Sequence, residues 1–473
     1  MKDFKHQKTH FFSRSRYRRI LGFLILLILI VALPFFYIFF TQKQQTIHRA
    51  TPTSGPVIST PGPVNSTPGS VNPTVKRIEM AILDNIKQNG FDSQAAGLWV
   101  NWRYGTDPLQ TNINGSGIAG GPGSGHDPLT DIRYLHNLWL YTSQNPKDTR
   151  YESEIAKYTP IVKAEFAGTT SQRGWLFDEE FLDLYNLSHD TFYRDTAIGM
   201  AAGYAKAINP SVGIFYKKSD INPQGYYRPS DDLEAACALI QAGTLFNHPS
   251  WVQQGQIMLN FLYAHAYIPT YHTFADQMDQ VLTPSGTVNP SEVFYGGTFR
   301  NYTVRGNIMR TGGTSQMIIS LLHTYQMTHN QDFLTKAEDL LAPLSLPGNS
   351  LGMWDSSNLG YFASVVFSGT TPQQPGSITV AKGKKEAGRQ ILMLWAFHLA
   401  NQFTHNKYQE MEKQMLTVAL SKAYYAPGHG VVYEIKPDWT LLRFPDHTPE
   451  NAVTTEAMGI ELESLFALQN NGF

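Results

Sequence analysis

Apolar residues recur along this chain at helical spacing, in short segments separated by loops that contain Gly, Pro or Asn. The segments lie near residues 77–89, 128–144, 151–166, 175–188, 190–207, 230–246, 249–264, 311–328, 331–343, 384–403, 405–421 and 450–468. Counted from the first, the even-numbered segments are the more apolar and the odd-numbered ones carry more charge. This alternation predicts six helical hairpins, with the even helices in an inner ring and the odd helices in an outer ring.

Three stretches in the longer loops have strand-like sequences, namely VGIFYKK (212–218), LGYFASVVF (359–367) and GVVYEIK (430–436). They predict small β-hairpins around the mouth of the ring. The helical pattern, which runs from about residue 77 to 470, resembles the (α/α)6 barrel of the six-hairpin glycosidase superfamily. The resemblance implies one all-α barrel domain over residues 77–473, with small β-hairpins in its loops.

The first 76 residues have a different character. Residues 1–20 are a basic tail, and residues 21–40 (LGFLILLILIVALPFFYIFF) carry no charge over the roughly 20 residues that a membrane-spanning helix needs. The positive flank predicts a cytoplasmic N-terminus and an extracellular barrel, and since only Ala50 resembles a cleavage site, an uncleaved transmembrane anchor is expected. Residues 41–76, rich in Pro, Thr, Ser and Gly, predict a stalk.

The charge and the cysteine content limit the classes of partner and the covalent cross-links that the outer domain can have. The basic tail holds seven basic side chains and one acidic one, so the remainder of the chain has a formal charge of −7, against −1 for the whole chain. A mildly acidic outer domain argues against nucleic acid as a partner. Cys237 is the only cysteine, so no intrachain disulfide forms and stability must come from an apolar core. We expect a monomer.

Even-numbered helices of such a ring run in one direction, so their N-terminal ends meet on one side, and polar residues occur at all of these ends. The candidates for substrate contact there are Asp127, Asp131, Glu179, Lys385, Glu386 and Glu456, with Asp231 and Asp232 as the candidate catalytic acids. Each has a structural alternative, because acids in a first turn cap the helix or complement its dipole. Together they predict a polar cup.

The strongest candidate is YYRPSDDLEAACALIQAG, residues 226–243. Asp231 with Glu234 three residues later forms a capping-box-like pattern, which makes Asp231 a candidate cap. Asp232 lies four residues before Ala236, on the small-residue face that is expected to point inward. Because an inward acid is costly unless it is paired or solvated in a cleft, Asp232 is predicted to face the cup.

The segment RPSDDLEAACALIQAGTLF (228–246) resembles the aspartate signature of glycoside hydrolase family 8 with one residue missing, and the paired-aspartate helix start of glycoside hydrolase family 76, the endo-mannanases. The second resemblance implies that Asp231 and Asp232 serve as nucleophile and general acid/base, in an order that it does not settle. The chain departs from family 76 where tryptophans usually follow the pair, since Glu234, Ala235 and Ala236 stand there.

Sugar-binding clefts need aromatic faces for the CH groups of the ring. The candidates in the loops are Trp99, Trp102, Trp175, Tyr226, Tyr227 and Trp354. Two other patterns carry little weight: GSGIAG (115–120) follows no convincing strand, and the fifteen histidines include no H-E-x-x-H. No cofactor and no metal site are therefore predicted.

These features favour a membrane-anchored glycoside hydrolase that works outside the cell on a carbohydrate polymer. Two alternatives stay open from the sequence. One is a surface glycan-binding protein whose acid pair has lost its catalytic function. The other is a sugar epimerase, since epimerases share this barrel, although their substrates are mainly cytosolic.

Overall fold

The computed structural model of the chain describes residues 72–93, 96–102, 126–169, 177–216, 226–282, 288–299, 302–346, 349–443 and 450–469. Within these ranges no helix combines the length and the apolar character needed to cross a membrane. The predicted basic tail (1–20), the predicted anchor (21–40) and most of the predicted stalk (41–76) lie outside the described residues.

The described residues form twelve helices in chain order. They are α1 (Pro73–Asn89), α2 (Pro128–Gln144), α3 (Glu152–Glu165), α4 (Asp183–Ser188), α5 (Thr191–Ala207), α6 (Pro229–Leu245), α7 (Pro249–His265), α8 (Thr311–Thr328), α9 (Gln331–Leu341), α10 (Ala387–Phe403), α11 (Gln409–Val418) and α12 (Thr455–Gln469). A π-helical turn, Phe177–Leu182, leads into α4, and a second one, Ala419–Ala423, follows α11.

The even-numbered helices, together with the π-helical turn before α4, pack side by side into a closed ring, in which α12 returns to contact α2. Each also packs against a neighbouring odd-numbered helix, and α12 takes α1, the first helix of the domain, as its partner. The predicted inner and outer rings of six hairpins are therefore confirmed.

Short strands occupy the connections that lead from an outer helix to the next inner helix. They are β1 (Phe91–Asp92), β2 (Gly97–Leu98), β3 (Asn101–Trp102), β4 (Ile208–Asn209), β5 (Ile214–Phe215), β6 (Tyr267–Ile268), β7 (Thr273–Phe274), β8 (Met278–Leu282), β9 (Val288–Phe294), β10 (Gly296–Phe299), β11 (Tyr302–Arg305), β12 (Ile308–Arg310), β13 (Ser364–Phe367), β14 (Ile378–Val380), β15 (Lys385–Glu386), β16 (Tyr424–Tyr425), β17 (Gly430–Val431), β18 (Glu434–Ile435) and β19 (Val453–Thr454). The connections from an inner helix to the following outer helix are short, such as residues 189–190 and 329–330. Antiparallel hairpins therefore place the strands at the end of the barrel where the inner helices begin.

All strand pairs among the described residues are antiparallel, and the predicted loop hairpins are confirmed. The largest described sheet has three strands in the order β12-β13-β14. Two strand pairs join loops that are far apart in the sequence. β3 pairs with β19, which leads into α12, and β18 pairs with β15, which leads into α10. These pairs fix the chain on the way into two inner helices.

Element boundaries differ from the sequence prediction where local chemistry intervenes. Helix α1 begins at Pro73 rather than near residue 77, because the Asn72 side chain accepts a hydrogen bond from the Thr74 amide at 3.0 Å and caps the helix. Helix α10 begins at Ala387 because the two residues before it are held in β15.

Small side chains allow the two rings to approach closely. Helix α6 is almost wholly buried and carries Ala235, Ala236, Cys237 and Ala238 in succession. A Cβ atom added at Gly255 of α7 would lie 2.5 Å from the Ala236 carbonyl oxygen. Only glycine therefore fits at this crossing.

Charged groups are buried inside the ring as well as apolar ones. Arg133 of α2 lies 2.9 Å from Glu180 and 3.1 Å from Glu463, and His136 lies 3.4 Å from Asp183. Burial raises the pKa of Glu180 to about 8. Burial acts to lower the pKa of His136, but hydrogen bonds with Asp183 and Glu463 raise it to about 9. The ring is thus tied together by ion pairs that span three inner elements.

Candidate active site

The aspartate pair lies in the first turn of α6. Pro229 occupies the first helical position and Arg228 is the N-cap, with no side-chain capping bond. The Arg228 guanidinium Nη1 lies 3.0 Å from Asp231 Oδ2, and Ser230 Oγ donates to Asp231 Oδ1 at 3.3 Å. The prediction that Asp231 caps the helix is wrong, because Pro229 favours a helix start before Asp231 and the carboxylate pairs with arginine instead.

The two carboxylates occupy different environments. The Asp231 side chain is 17% exposed, whereas Asp232 is fully buried. Neighbouring acids in unlike surroundings are what a catalytic pair requires, since one carboxyl must donate a proton while the other acts as an anion.

Arginines and carboxylates continue from this pair around the mouth of the barrel. We call this set the charged ring, and its members are Arg228, Asp231, Asp276, Arg310, Glu386, Arg389 and Glu456. Arg310 Nε lies 3.3 Å from Asp276 Oδ2, and its Nη1 lies 3.6 Å from Glu386 Oε1. Arg389 of α10 forms an ion pair with Glu456 of α12. The ion pairs of the charged ring therefore lie at the starts of α6, α8, α10 and α12.

The charged ring has both solvent-facing and sheltered members. The side chains of Arg228 and Arg310 are 40% and 45% exposed, whereas those of Asp276 and Glu386 are 5% and 9% exposed. Burial raises the pKa of Glu386, and the nearby Asp231 raises that of Arg228. Alternating donors and acceptors of this kind suit the hydroxyl groups of a sugar, which both donate and accept hydrogen bonds.

Asp127 and Asp131, two predicted cup residues, lie at the start of α2. Asp127 caps the helix, since its Oδ1 accepts from the Leu129 amide at 3.0 Å, and burial raises its pKa. Asp131 is fully buried, its Oδ1 accepts from the Leu98 amide at 2.8 Å, and burial raises its pKa to about 8. Asp131 is held against β2, next to His126.

Lys385 and Glu386 lie on β15 rather than on α10. Lys385 is fully buried, its Nζ lies 3.0 Å from Asp355 Oδ2, and it donates to the Leu359 carbonyl at 2.5 Å. The lysine thus holds the loop of residues 352–362 and does not line the charged ring. Glu386 belongs to the ring through Arg310.

Most of the described aromatic candidates are packed rather than open. Trp102 is fully buried and donates to Asn85 Oδ1 at 3.1 Å. Tyr226 stacks on Tyr295 with ring centroids 4.1 Å apart, and Trp354 packs edge-on against Tyr361 at 5.0 Å.

Tyr227 is also buried, so Trp102, Tyr226, Tyr227 and Trp354 do not present open faces, and their contact with a sugar stays a prediction. The physical reason is that these loops fold back onto the hairpins and bury their largest rings. Trp99 is half-buried. Trp175 and the side chain of Glu179 lie outside the described residues.

The sequence interpretation missed two arginines of the charged ring. Arg228 and Arg310 are the N-cap residues of α6 and α8. The sequence did contain a signal. A basic residue directly before the N-terminus of an apolar helix is unfavourable for the helix dipole, and this occurs at both helices.

No family model matches the chain, and no curated protein matches it by sequence. Solved structures do match. An unsaturated glucuronyl hydrolase specific for heparin is 15% identical with a TM-score of 0.58, over 84% of this chain and 96% of that one. An inactive variant of an α-1,6-mannanase from Salegentibacter sp. HEL1_6, in complex with α-1,6-mannotriose, is 11% identical with a TM-score of 0.53, over 84% of this chain and 100% of that one.

A D-mannose isomerase is also similar, at 11% identity with a TM-score of 0.55, over 85% of this chain and 99% of that one. Identities this low show a shared fold and leave the reaction open. The resemblance to family 8 stays a prediction. The chain therefore shares the helical toroid fold of these solved structures, as its hairpin pattern implied.

Proposed function

We propose that the chain is a glycoside hydrolase that cleaves a polysaccharide with Asp231 and Asp232. The observation that carries this proposal is the position of the two consecutive carboxylates in the first turn of an inner helix, at the end of the barrel where the charged ring lies. Hydrolysis of a glycosidic bond needs one carboxyl to protonate the leaving oxygen and a second one to attack the anomeric carbon or to activate water. The pair supplies both groups.

The similarity to the mannanase supports the same pair. The inactive variant of that enzyme has two consecutive aspartates replaced by asparagine, and it binds α-1,6-mannotriose. In this chain a consecutive aspartate pair lies in the first turn of an inner helix of the same fold. We therefore propose an endo-mannanase-like activity, with α-mannans as the first polymers to test.

The proposed setting is extracytoplasmic. Residues 21–40 would anchor the protein in a membrane, and the Pro-, Thr- and Ser-rich residues from 41 to the start of α1 would link this anchor to the barrel. The substrate would then be a polymer of the cell envelope or of the surroundings.

The direct test measures reducing ends released from α-mannans, β-glucans and envelope polysaccharides by the full chain. Asp231→Asn and Asp232→Asn should each lower turnover by about a thousandfold or more, with unchanged circular dichroism and melting temperature. Asp195→Asn, at an exposed carboxylate on α5, is the matched control and should retain wild-type turnover. Retained turnover in both active-site variants would overturn the proposal.

One observation favours a second candidate function, non-catalytic glycan binding. Asp231, Glu386 and Glu456 each lie in an ion pair with an arginine, which is how carboxylates are used in a structural ring. A glycan array tests this alternative: binding of a glycan that stays intact after long incubation supports it, and product formation contradicts it.

A further inference from the structure

A cluster of three metal-ligating side chains lies beside the start of α2, outside the charged ring. His126 precedes α2, Asp131 lies in its first turn and Glu165 ends α3. One ligand atom from each residue lies within 4.8 Å of the others. His126 Nε2 is 2.7 Å from Glu165 Oε1, and His126 Nδ1 is 3.4 Å from Asp131 Oδ2.

Two acids face one imidazole in this cluster, and within the described part of the chain no lysine or arginine forms an ion pair with either acid. Asp131 is fully buried, and its Oδ2 atom, on the side of His126, has no hydrogen-bond partner among the described residues. Burying a polar oxygen without a hydrogen-bond partner is costly, and an ion bound between the three side chains would satisfy it.

The surroundings hold the three side chains in place. Leu98 donates its amide to Asp131 Oδ1 at 2.8 Å, and its carbonyl lies 3.3 Å from His126 Nδ1. A metal-binding histidine commonly donates one ring N–H to a backbone carbonyl, which orients the other nitrogen, here the one that faces Glu165, toward the ion. Gly97 makes room for this arrangement, since a Cβ there would lie 1.8 Å from His126 Cε1.

From this geometry we propose that His126, Asp131 and Glu165 form a binding site for a divalent transition-metal ion of the zinc class. One imidazole and two carboxylates are a ligand set for zinc, whose ligands lie at about 2 Å and leave a fourth position for water. The bound ion neutralises both acids and links β2, α2 and α3, next to the Asp127 cap.

The site does not depend on the proposed hydrolase activity, and its test needs no substrate. The full chain is stripped with EDTA, dialysed, and titrated with zinc sulfate against a fluorescent zinc chelator. Wild type should bind one zinc ion per chain, and its melting temperature should rise with zinc. His126→Ala and Glu165→Gln should each weaken binding by at least about tenfold and should abolish the rise.

Two controls separate this site from adventitious binding. Glu152→Gln changes an exposed acid at the other end of α3, and His272→Ala removes the histidine of an exposed His272–Asp339 pair. Both should bind zinc like wild type. Because Glu165 is partly exposed and Gln keeps its shape, Glu165→Gln should fold, as circular dichroism will verify. Wild type that binds no zinc, or triad variants that bind it as tightly as wild type, would overturn the proposal.

Discussion

The ammonium group of Lys385 lies 3.0 Å from the carboxylate of Asp355, and the lysine side chain is fully buried. Burial acts to raise the pKa of Asp355, but hydrogen bonds from Lys385 and Asn358 hold it below its ordinary value. The pair joins the loop of residues 352–362 to β15, which leads into α10 and carries Glu386 of the charged ring. This ion pair therefore stabilises the mouth of the barrel.

Lys385→Met should strongly destabilise the protein. The substitution leaves the Asp355 charge without its cation, and breaking a buried pair costs about 3–5 kcal/mol of unfolding free energy. Denaturant unfolding of the full chain measures the loss. Lys384→Met is the matched control, because the Lys384 side chain is 44% exposed and its pair with Glu434 should contribute less than about 1 kcal/mol. Equal losses in both variants would contradict the assignment.

Gly97→Ala should lower the free energy of unfolding by about 1–3 kcal/mol, because the new methyl group would overlap the His126 ring and the loop must shift. Gly383→Ala is the control, since no atom lies within 4 Å of the position of its added Cβ, and its effect should stay within about 0.5 kcal/mol. Thermal melting compares the two variants. If Gly97→Ala melts at the same temperature as wild type, His126 does not pack tightly against Gly97 of β2.

Glu79→Gln should change how stability depends on pH. Burial raises the pKa of Glu79 from 4.5 to about 7 in the folded state. Between these values the folded chain keeps a proton that the unfolded chain has lost, so the contribution of Glu79 is fully present below pH 4.5 and is lost as pH rises through 7. At pH 8 the free energy of unfolding of the variant should exceed that of wild type by up to about 3 kcal/mol. At pH 4 the two free energies should be equal.

This prediction is measured by denaturant unfolding at several pH values. The glutamine still offers an oxygen to Gln469, which donates to Glu79 in the native chain. Glu152→Gln, on the exposed side of α3, should leave the profile unchanged. Parallel profiles for wild type and Glu79→Gln would contradict the raised pKa.

Arg228→Gln should lower polysaccharide turnover by about tenfold or more, which corresponds to roughly 1.4 kcal/mol of transition-state stabilisation. The reason is that Arg228 is the cation that orients Asp231. Stability should change by less than about 1 kcal/mol, because the Arg228 side chain is 40% exposed. Arg194→Gln removes a similar exposed pair, with Asp195 on α5, and should leave turnover unchanged. Turnover that falls equally in both variants would count against a role in the site.

The sequence predicted the barrel better than it predicted the site. Helical spacing, the alternation of apolar and charged segments, and the strand-like pieces identified the twelve helices and the loop hairpins that the structure has. These are local signals, and a helix that must bury one face carries that requirement in its own residues. One boundary error arose from the local Asn72 cap of α1, and another arose from distant pairing, at β15 before α10.

The site depended on contacts between residues far apart in the chain. That polar groups meet where the inner helices begin followed from the sequence, because parallel inner helices bring their N-termini together. The identity of the pairing partners did not follow from the sequence. Lys385 pairs with Asp355, Arg310 pairs with Asp276 and Glu386, and Tyr226 stacks on Tyr295. A side chain that appears exposed on its own segment is buried when a loop from another hairpin covers it.

The sequence by itself thus determined the periodicity, the number of hairpins and the end of the barrel at which the chemistry can occur. Only the tertiary structure decided that Asp231 pairs with Arg228 while Asp232 is buried, and that His126, Asp131 and Glu165 meet. Periodicity is a property of neighbouring residues, whereas burial and charge pairing are set by which loops and helices close over a residue.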